Sequence, residues 1–232
     1  MGSSQEEDIL GDVILMIAGV DEAGRGPVIG PLVVAGVSCA IEEIKLLESM
    51  GVTDSKLLTR RKRELFYSEI TSNFSFYTVY ISPAEIDRAL RNKISLNLLE
   101  AEAFSIALNE LSPEKAFVDC VEREPGKFIR NISRTLKVRC RLVAEHKADL
   151  NYPIVSAASI IAKVERDREI AKIREEFGDF GSGYPGDSKT ILFLESIIEE
   201  DGELPYFIRS SWKTVKRLRR RSENYTLDMD YF

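Results

Sequence analysis

Two long apolar runs separated by a short, glycine-containing turn constrain the fold of this chain more than any other feature of its sequence. Residues 13–20 (VILMIAGV) form an unbroken apolar run of strand length, and two carboxylates, Asp21 and Glu22, follow it at once. Residues 28–39 (VIGPLVVAGVSC) form a second run, whose β-branched side chains favour a long strand bent at its glycines. Because the connection between the runs is short and glycine-rich, we predict that they pair as an antiparallel hairpin.

The rest of the chain alternates between strand patterns and helix patterns. Strand patterns cover three further segments, residues 75–81, 116–118 and 137–143. Helix patterns cover residues 59–72, a segment from residue 82 onward, and residues 95–111 and 152–177. Thr59 is a capping residue for the first, and a proline lies near the start of the second and the last. Strands that come first and are then joined through helices predict a mixed α/β sheet.

A glycine-rich stretch, residues 178–187 (GDFGSGYPGD), interrupts this pattern after the longest predicted helix. The remainder of the chain is predicted to form two short helices and a polar tail. We therefore expect a larger domain over residues 1–177 and a smaller helical lobe over residues 178–232.

Charge and cysteine content limit the kinds of partner and compartment. The net charge is -6, so a nucleic-acid binder of this composition needs its positive charge to be local. It is local in two basic runs, residues 56–63 (KLLTRRKR) and 207–221 (FIRSSWKTVKRLRRR). Three cysteines without metal-ligand spacing favour a reducing, cytoplasmic location. The apolar segment at residues 9–20 is too short and too interrupted to span a membrane, and no cleavable signal pattern precedes it.

Four carboxylates stand near the ends of predicted elements: Asp21, Glu22, Asp119 and Asp149. Two carboxylates about 4 Å apart repel by roughly 4 kcal/mol at an effective dielectric constant near 20, so a cluster of them requires a cation. Oxygen ligands favour Mg²⁺ or Mn²⁺ over zinc, and a pair of such ions suits phosphodiester hydrolysis. Spacing alone leaves a second interpretation open, in which the four residues are helix caps and surface ion-pair partners.

The adjacency of Asp21 and Glu22 imposes a geometric condition on any shared site. Neighbouring residues of a strand point to opposite faces of the sheet. We therefore expect the chain to leave extended geometry at these residues, which the glycines at positions 24 and 26 would make inexpensive. His146 is the sole histidine of the chain, so a two-histidine metal site is excluded and a structural or positioning role is expected for it.

An ordered set of motifs resembles the type 2 ribonucleases H, and most closely their archaeal members. The motifs are GVDEAGRGPVIGPLVVAGV (residues 19–37), TDSKLL (53–58), FVDC (117–120), EHKADLNYPIVSAASIIAKVERD (145–167) and GSGYPGD (181–187). The resemblance implies a ribonuclease H-like mixed five-stranded sheet flanked by helices, with a C-terminal helical lobe that closes a duplex-binding groove. It also implies a monomer.

The resemblance further implies a site and an activity. The metal-binding residues would be Asp21, Glu22, Asp119 and Asp149, with Mg²⁺ or Mn²⁺ as the cofactor. The substrate-binding residues would be Gly24, Arg25, Gly26, Lys56 and Tyr184, the glycine-flanked arginine and the tyrosine sensing the ribose 2′-hydroxyl. The implied reaction is hydrolysis 5′ to a ribonucleotide in RNA–DNA hybrids or in DNA with embedded ribonucleotides, leaving 3′-hydroxyl and 5′-phosphate ends.

Three alternatives remain open on the sequence. A ribonuclease H-fold DNA nuclease would lack ribose selectivity, and a non-catalytic duplex-binding module would lack cleavage altogether.

The tail, residues 224–232 (NYTLDMDYF), resembles the sliding-clamp-binding peptides of archaeal replication proteins, but Asn224 replaces their glutamine and the aromatic pair is one residue too far from Leu227. A polar tail with chance aromatic residues fits equally well.

Overall fold

The computed structural model describes residues 15–52, 58–200 and 203–229, with side chains as far as residue 223. Within these residues a single five-stranded sheet forms the centre of the molecule, in the order β3-β2-β1-β4-β5. The strands are β1 (Met16–Ala23), β2 (Leu32–Ala40), β3 (Ser75–Ile81), β4 (Lys115–Asp119) and β5 (Arg141–Glu145). The first three pair antiparallel, whereas β4 and β5 join the other side of β1 in parallel. The predicted hairpin and mixed sheet are confirmed.

Helices cover both faces of the sheet. They are α1 (Ile44–Met50), α2 (Arg60–Asn73), α3 (Pro83–Arg91), α4 (Leu96–Leu111), α5 (Pro125–Ser133), α6 (Ala148–Asn151), α7 (Pro153–Phe177), α8 (Ser188–Glu199) and α9 (Lys213–Met229). A 3-10 turn, Ile41–Glu43, precedes α1. None of the helices in the described part of the chain has the length and apolar character needed to cross a membrane.

Side-chain caps start α2, α3 and α4, and the sequence predicts those of α2 and α3. The hydroxyls of Thr59, Ser82 and Ser95 accept hydrogen bonds from backbone amides of the first turn. Glu85 completes a capping box by accepting a hydrogen bond from the backbone amide of Ser82 at 2.8 Å. Each cap satisfies amide groups that would otherwise lack partners at the helix start.

Three apolar clusters hold the layers together. Helices α1, α2 and α7 cover one face of the sheet, and α3, α4 and α5 cover the other. Helix α7 lies so close to β1 that a Cβ atom on Gly19 would overlap the backbone of Ile154. The third cluster joins Val28 and Ile29 to α8, α9 and the end of α7, so the C-terminal part packs against the β1–β2 turn.

Several predicted boundaries are wrong. Strand β5 begins at Arg141 rather than at residue 137, because its partner β4 begins only at Lys115 and earlier residues have no strand to pair with. Strand β2 begins at Leu32, and Ile29 instead forms an isolated bridge with Ile208. Helix α9 is 17 residues long and its backbone continues to Met229, so the final segment is neither a short helix nor a tail from residue 224.

Candidate active site

Three of the predicted carboxylates meet where β4 ends beside β1. Asp21 and Glu22 lie in β1, and Asp119 is the last residue of β4. Pairing between β1 and β4 stops at Val20 and Val118, so the edge of β1 is open beyond that point. One carboxylate oxygen from each of the three residues lies within 4.8 Å of the others. The sheet therefore gathers acidic groups that are far apart in sequence.

The chain does not leave extended geometry at Asp21 and Glu22, so that expectation is wrong. Pairing with β2 continues through both residues to Ala23, which lies opposite Val33. The two side chains start from opposite faces of the strand, yet a carboxylate oxygen of each lies within 4.8 Å of the other, next to the part of β1 that β4 leaves unpaired. The Asp21 carboxylate accepts a 2.7 Å hydrogen bond from the backbone amide of Glu22, which keeps it at this edge.

The electrostatics of the three carboxylates fit a bound divalent cation. Burial and the negative charge of Asp119 raise the pKa of Asp21 to about 6. Burial, together with the charges of Asp21 and Asp119, also raises the pKa of Glu22 well above its ordinary value. The Oε2 atom of Glu22 is buried and makes no hydrogen bond. A cation would offset the repulsion and supply the missing partner for that oxygen, and an all-oxygen donor set suits Mg²⁺ or Mn²⁺.

The fourth carboxylate, Asp149, is buried in the short helix α6 but does not belong to the group of three. It lies next to that group, because the backbone amide of Ala148 donates a 2.8 Å hydrogen bond to Oδ1 of Asp119. Nearby, the two ring nitrogens of His146 lie 3.2 Å and 3.3 Å from the carbonyl oxygens of Cys120 and Arg123. The imidazole therefore connects β5 to the loop after β4, which is the structural role expected for it.

The glycine-flanked arginine follows β1 directly and lies beside Tyr184. Gly24 has a φ of +93°, and a Cβ atom there would lie 2.7 Å from the carbonyl oxygen of Pro31 and would overlap Arg166. A Cβ atom on Gly26 would lie 3.3 Å from the ring of Tyr184. A side chain at Gly24 would displace its neighbours, and one at Gly26 would require the ring of Tyr184 to shift by a few tenths of an ångström. The fold thus brings together the loop and the tyrosine, which are more than 150 residues apart in sequence.

Two residues that the sequence analysis did not single out hold the backbone of this loop. The guanidinium of Arg209 donates to the carbonyl oxygens of Gly24 at 2.6 Å and Arg25 at 3.1 Å, and the indole of Trp212 donates to Gly26 at 3.1 Å. Arg209 is fully buried, and burial together with the charge of a neighbouring arginine lowers its pKa to about 9. Its position directly after two apolar residues was the available signal that it is not part of a solvated face.

The side chain of Arg25 is held from a different direction, by helix α4. It forms an ion pair with Glu100 and donates a hydrogen bond of 2.5 Å to the Oδ1 atom of Asn97. Sequence reasoning missed both partners. Glu100 lies four residues after Leu96 and three before Ala103, on an otherwise apolar side of the helix, and that placement was the signal.

A groove of about 500 Å³ runs along this site. The loop, Glu22 and Tyr184 line it together with a set of cationic side chains, Arg63, Lys163 and Arg166. The Nε atoms of Arg63 and Arg166 and one terminal nitrogen of Arg166 make no hydrogen bond. Lys56, the other predicted substrate-binding residue, lies outside the described residues.

Comparison with known proteins gives the family. The sequence profile described as Ribonuclease HII matches residues 18–215. The chain belongs to the ribonuclease HII family. It is 44% identical over 221 residues to the ribonuclease HII of Pyrococcus horikoshii, covering 94% of this chain and 99% of that protein. Membership makes this protein a hydrolase of the ribonuclease H type, an endonuclease that acts on RNA–DNA hybrids.

Two solved structures of ribonuclease HII proteins share the fold. The crystal structure of ribonuclease H2 from Pyrococcus horikoshii OT3 has a TM-score of 0.85 at 44% identity, covering 90% of this chain and 99% of that one. The ribonuclease HII of Archaeoglobus fulgidus, solved as a complex with PCNA, has a TM-score of 0.79 at 44% identity, covering 88% of this chain and 96% of that one. The expected ribonuclease H-like sheet flanked by helices is confirmed.

Proposed function

We propose that this ribonuclease HII family member hydrolyses the phosphodiester on the 5′ side of a ribonucleotide, in RNA–DNA hybrids or in DNA with embedded ribonucleotides. The products would carry 3′-hydroxyl and 5′-phosphate ends. The observation that carries the proposal is that Glu22, which clusters with Asp21 and Asp119, lines one groove together with the loop of residues 24–26 and Tyr184. Acidic groups for metal-assisted hydrolysis thus lie beside backbone that can contact a sugar closely.

Metal binding is assigned to Asp21, Glu22 and Asp119, with Asp149 as the fourth ligand. Their oxygen donors favour Mg²⁺ or Mn²⁺. Divalent ions at such a site supply a nucleophilic water and charge stabilisation for the leaving oxygen. The carboxylates would orient these ions. The ions in turn would favour the ionised carboxylates, whose raised pKa values oppose ionisation without a cation.

Ribose selection is assigned to Gly24, Arg25, Gly26 and Tyr184. A 2′-hydroxyl distinguishes RNA from DNA, and backbone groups can read it only where no side chain intervenes. The two glycines satisfy this condition. Tyr184 is 47% exposed and faces Gly26, so its ring is available to stack on the sugar that follows the ribonucleotide.

Phosphate binding is assigned to cationic groups along the same groove and to Lys56. Arg63, Lys163 and Arg166 line this groove beside the loop. Helix α9 carries six basic residues between positions 213 and 221, and we propose that the lobe of residues 178–232 binds the flanking duplex. Local positive charge of this kind reconciles duplex binding with the net charge of -6.

A sliding clamp is a second proposed partner, bound through residues 224–232. The Archaeoglobus fulgidus relative was solved with PCNA, and the tail sequence resembles a clamp-binding peptide. The side chains of this segment lie outside those described. We place the enzyme in the cytoplasm, since its three cysteines carry free thiols, as is typical of a reducing compartment.

The test of this proposal compares three duplexes of the same sequence: all-DNA, DNA with one ribonucleotide, and an RNA–DNA hybrid. Digestion with Mg²⁺ or Mn²⁺ should cut the second and third, with the cut in the second mapping to the 5′ side of the ribonucleotide. Equal cleavage of the all-DNA duplex would indicate a nuclease without ribose selectivity. Binding without metal-dependent cleavage would indicate a non-catalytic duplex-binding protein.

A further inference from the structure

A fully buried carboxylate on α4 has no evident role in packing. Glu100 is 0% exposed, and its neighbours in the helix, Ala101, Ala103 and Phe104, belong to the apolar core. One carboxylate oxygen pairs with Arg25, whereas the other, Oε1, is buried and makes no hydrogen bond. An ionised group with one oxygen unsatisfied is costly in such a place.

Stability does not account for this residue. Removing a charge pair from water costs about as much as the pair regains, so an apolar side chain of similar volume in its place is often neutral or stabilising. Arg25 is itself partly desolvated, which lowers its pKa. A methionine or leucine at position 100 would not hold the Arg25 guanidinium in a fixed direction, as the carboxylate does.

The loop needs contacts to both its backbone and its side chain to hold one conformation. Glycines on both sides of Arg25 allow many backbone conformations. Arg209 and Trp212 fix the three carbonyl oxygens from the C-terminal lobe. Glu100, with Asn97, fixes the single side chain of the loop from α4. The two sets of contacts come from different elements and together hold both the backbone and the side chain.

We propose that Glu100 is a positioning residue that sets ribose discrimination, by anchoring Arg25 so that the backbone of residues 24–26 faces the sugar in one conformation. This rests on the proposed function, in which that loop reads the 2′-hydroxyl. Loss of the anchor would lower the preference for a ribonucleotide while leaving contacts to the duplex phosphates intact. The residue acts through Arg25 and is not assigned any contact with substrate.

The experiment measures duplex binding in a background carrying Asp119→Asn, with Mg²⁺ present and cleavage suppressed. The readout is the ratio of Kd for an all-DNA duplex to Kd for the same duplex with one ribonucleotide. Glu100→Met should lower this ratio roughly tenfold, equivalent to about 1.4 kcal/mol, with the all-DNA Kd unchanged. Glu100→Gln, which keeps an acceptor oxygen, should recover part of the ratio. Glu110→Gln, at an exposed acid of the same helix, should leave it unchanged.

A double variant separates positioning from general destabilisation. Once Arg25→Met has removed the guanidinium, adding Glu100→Met should lower the ratio no further, because the two residues act as one unit. An unchanged ratio in both Glu100 variants, or independent effects of the two substitutions, would overturn the positioning role. A ratio of one already in the Asp119→Asn background would overturn the proposed ribose selection itself, and with it this inference.

Discussion

Single residues at the site act through position more than through chemical type. The carboxylates of Asp21, Glu22 and Asp119 are ordinary acidic groups, and their shared location gives them raised pKa values and a common oxygen cluster. Gly24 matters for the reverse reason, since the space where its side chain would stand is taken by Pro31 and Arg166. Substitution of a carboxylate should therefore affect mainly cleavage, whereas substitution of Gly24 should affect cleavage and stability together.

Replacement of Asp119 by asparagine tests the metal assignment. Asp119→Asn removes one charge from the oxygen cluster while keeping an acceptor for the backbone amide of Ala148. We expect cleavage to fall by more than about 100-fold, a larger loss than changes outside the ligand set produce, with duplex binding largely preserved. Steady-state kinetics and a binding titration check this, with Glu42→Gln as an exposed control. Near-normal turnover of Asp119→Asn would disprove the assignment.

Replacement of Gly24 by alanine tests the close approach in the loop. Gly51 is a matched control, because its φ is +71° but nothing lies within 4 Å of its Cβ position. Both substitutions carry the cost of positive φ, on the order of 1 kcal/mol. Gly24→Ala adds the overlap with Arg166 and should cost roughly 1–3 kcal/mol more and abolish ribonucleotide cleavage. Denaturant unfolding and cleavage assays measure both. Equal losses in the two variants would contradict the argument.

At the scale of elements, contacts between distant segments hold the loop in place. Helix α3 contributes Asp87, whose carboxylate accepts four hydrogen bonds from the backbone and hydroxyl groups of Ser210 and Ser211. These residues directly follow Arg209, so α3 fixes the segment that holds the loop after β1. Burial opposes ionisation of Asp87, but the hydrogen bonds outweigh it and lower its pKa.

Replacement of Asp87 by asparagine should weaken this connection. Asp87→Asn turns one acceptor into a donor that faces N–H and O–H groups, and we expect a loss of about 1–3 kcal/mol in the free energy of unfolding. Since the folded pKa is depressed, the stabilisation is present above the unfolded pKa and is lost as pH falls through the folded value. Urea unfolding measures the difference in the free energy of unfolding between Asp87→Asn and the unsubstituted protein. This difference should be smaller at pH 3 than at pH 7. A difference that does not change with pH would contradict a stabilising role for the ionised carboxylate of Asp87.

For the whole molecule, the carboxylate cluster links folding to pH and to divalent metal. The pKa of Asp21 is raised to about 6 in the folded protein, so the folded state binds more protons than the unfolded state between the ordinary aspartate value and pH 6. Without metal, this group lowers stability as pH rises through that window, by on the order of 3 kcal/mol. A bound cation reverses the sign, because it favours the ionised carboxylates.

Metal addition should therefore stabilise the protein more at high pH than at low pH. We expect Mg²⁺ or Mn²⁺ to raise the Tm clearly at pH 7.5 and little at pH 5, where protons compete for the same oxygens. Asp21→Asn should reduce this dependence and should make the metal-free protein less sensitive to pH between 4 and 6. Thermal unfolding with EDTA and with metal measures both effects. An equal shift of Tm at the two pH values would indicate binding elsewhere.

The sequence by itself determined much of this protein. The apolar runs predicted the β1–β2 hairpin, and strand β3 matched its predicted residues 75–81. Capping residues located the starts of α2 and α3, and apolar periodicity located α4. These features depend on neighbours along the chain, so local periodicity and caps encode them. The resemblance carried by the motifs gave the family, which the comparisons confirm.

Only the tertiary structure decided how the site is held together. The pairing of β4 with β1 placed Asp119 beside Asp21 and Glu22 without any break in the strand. The anchors of Arg25 come from positions 75 and 184 residues away, at Glu100 and Arg209. No local pattern specifies such pairs, because burial among distant elements selects them after the chain has packed. The residues proposed to perform the reaction were therefore readable in the sequence, and those that hold the loop after β1 in place were not.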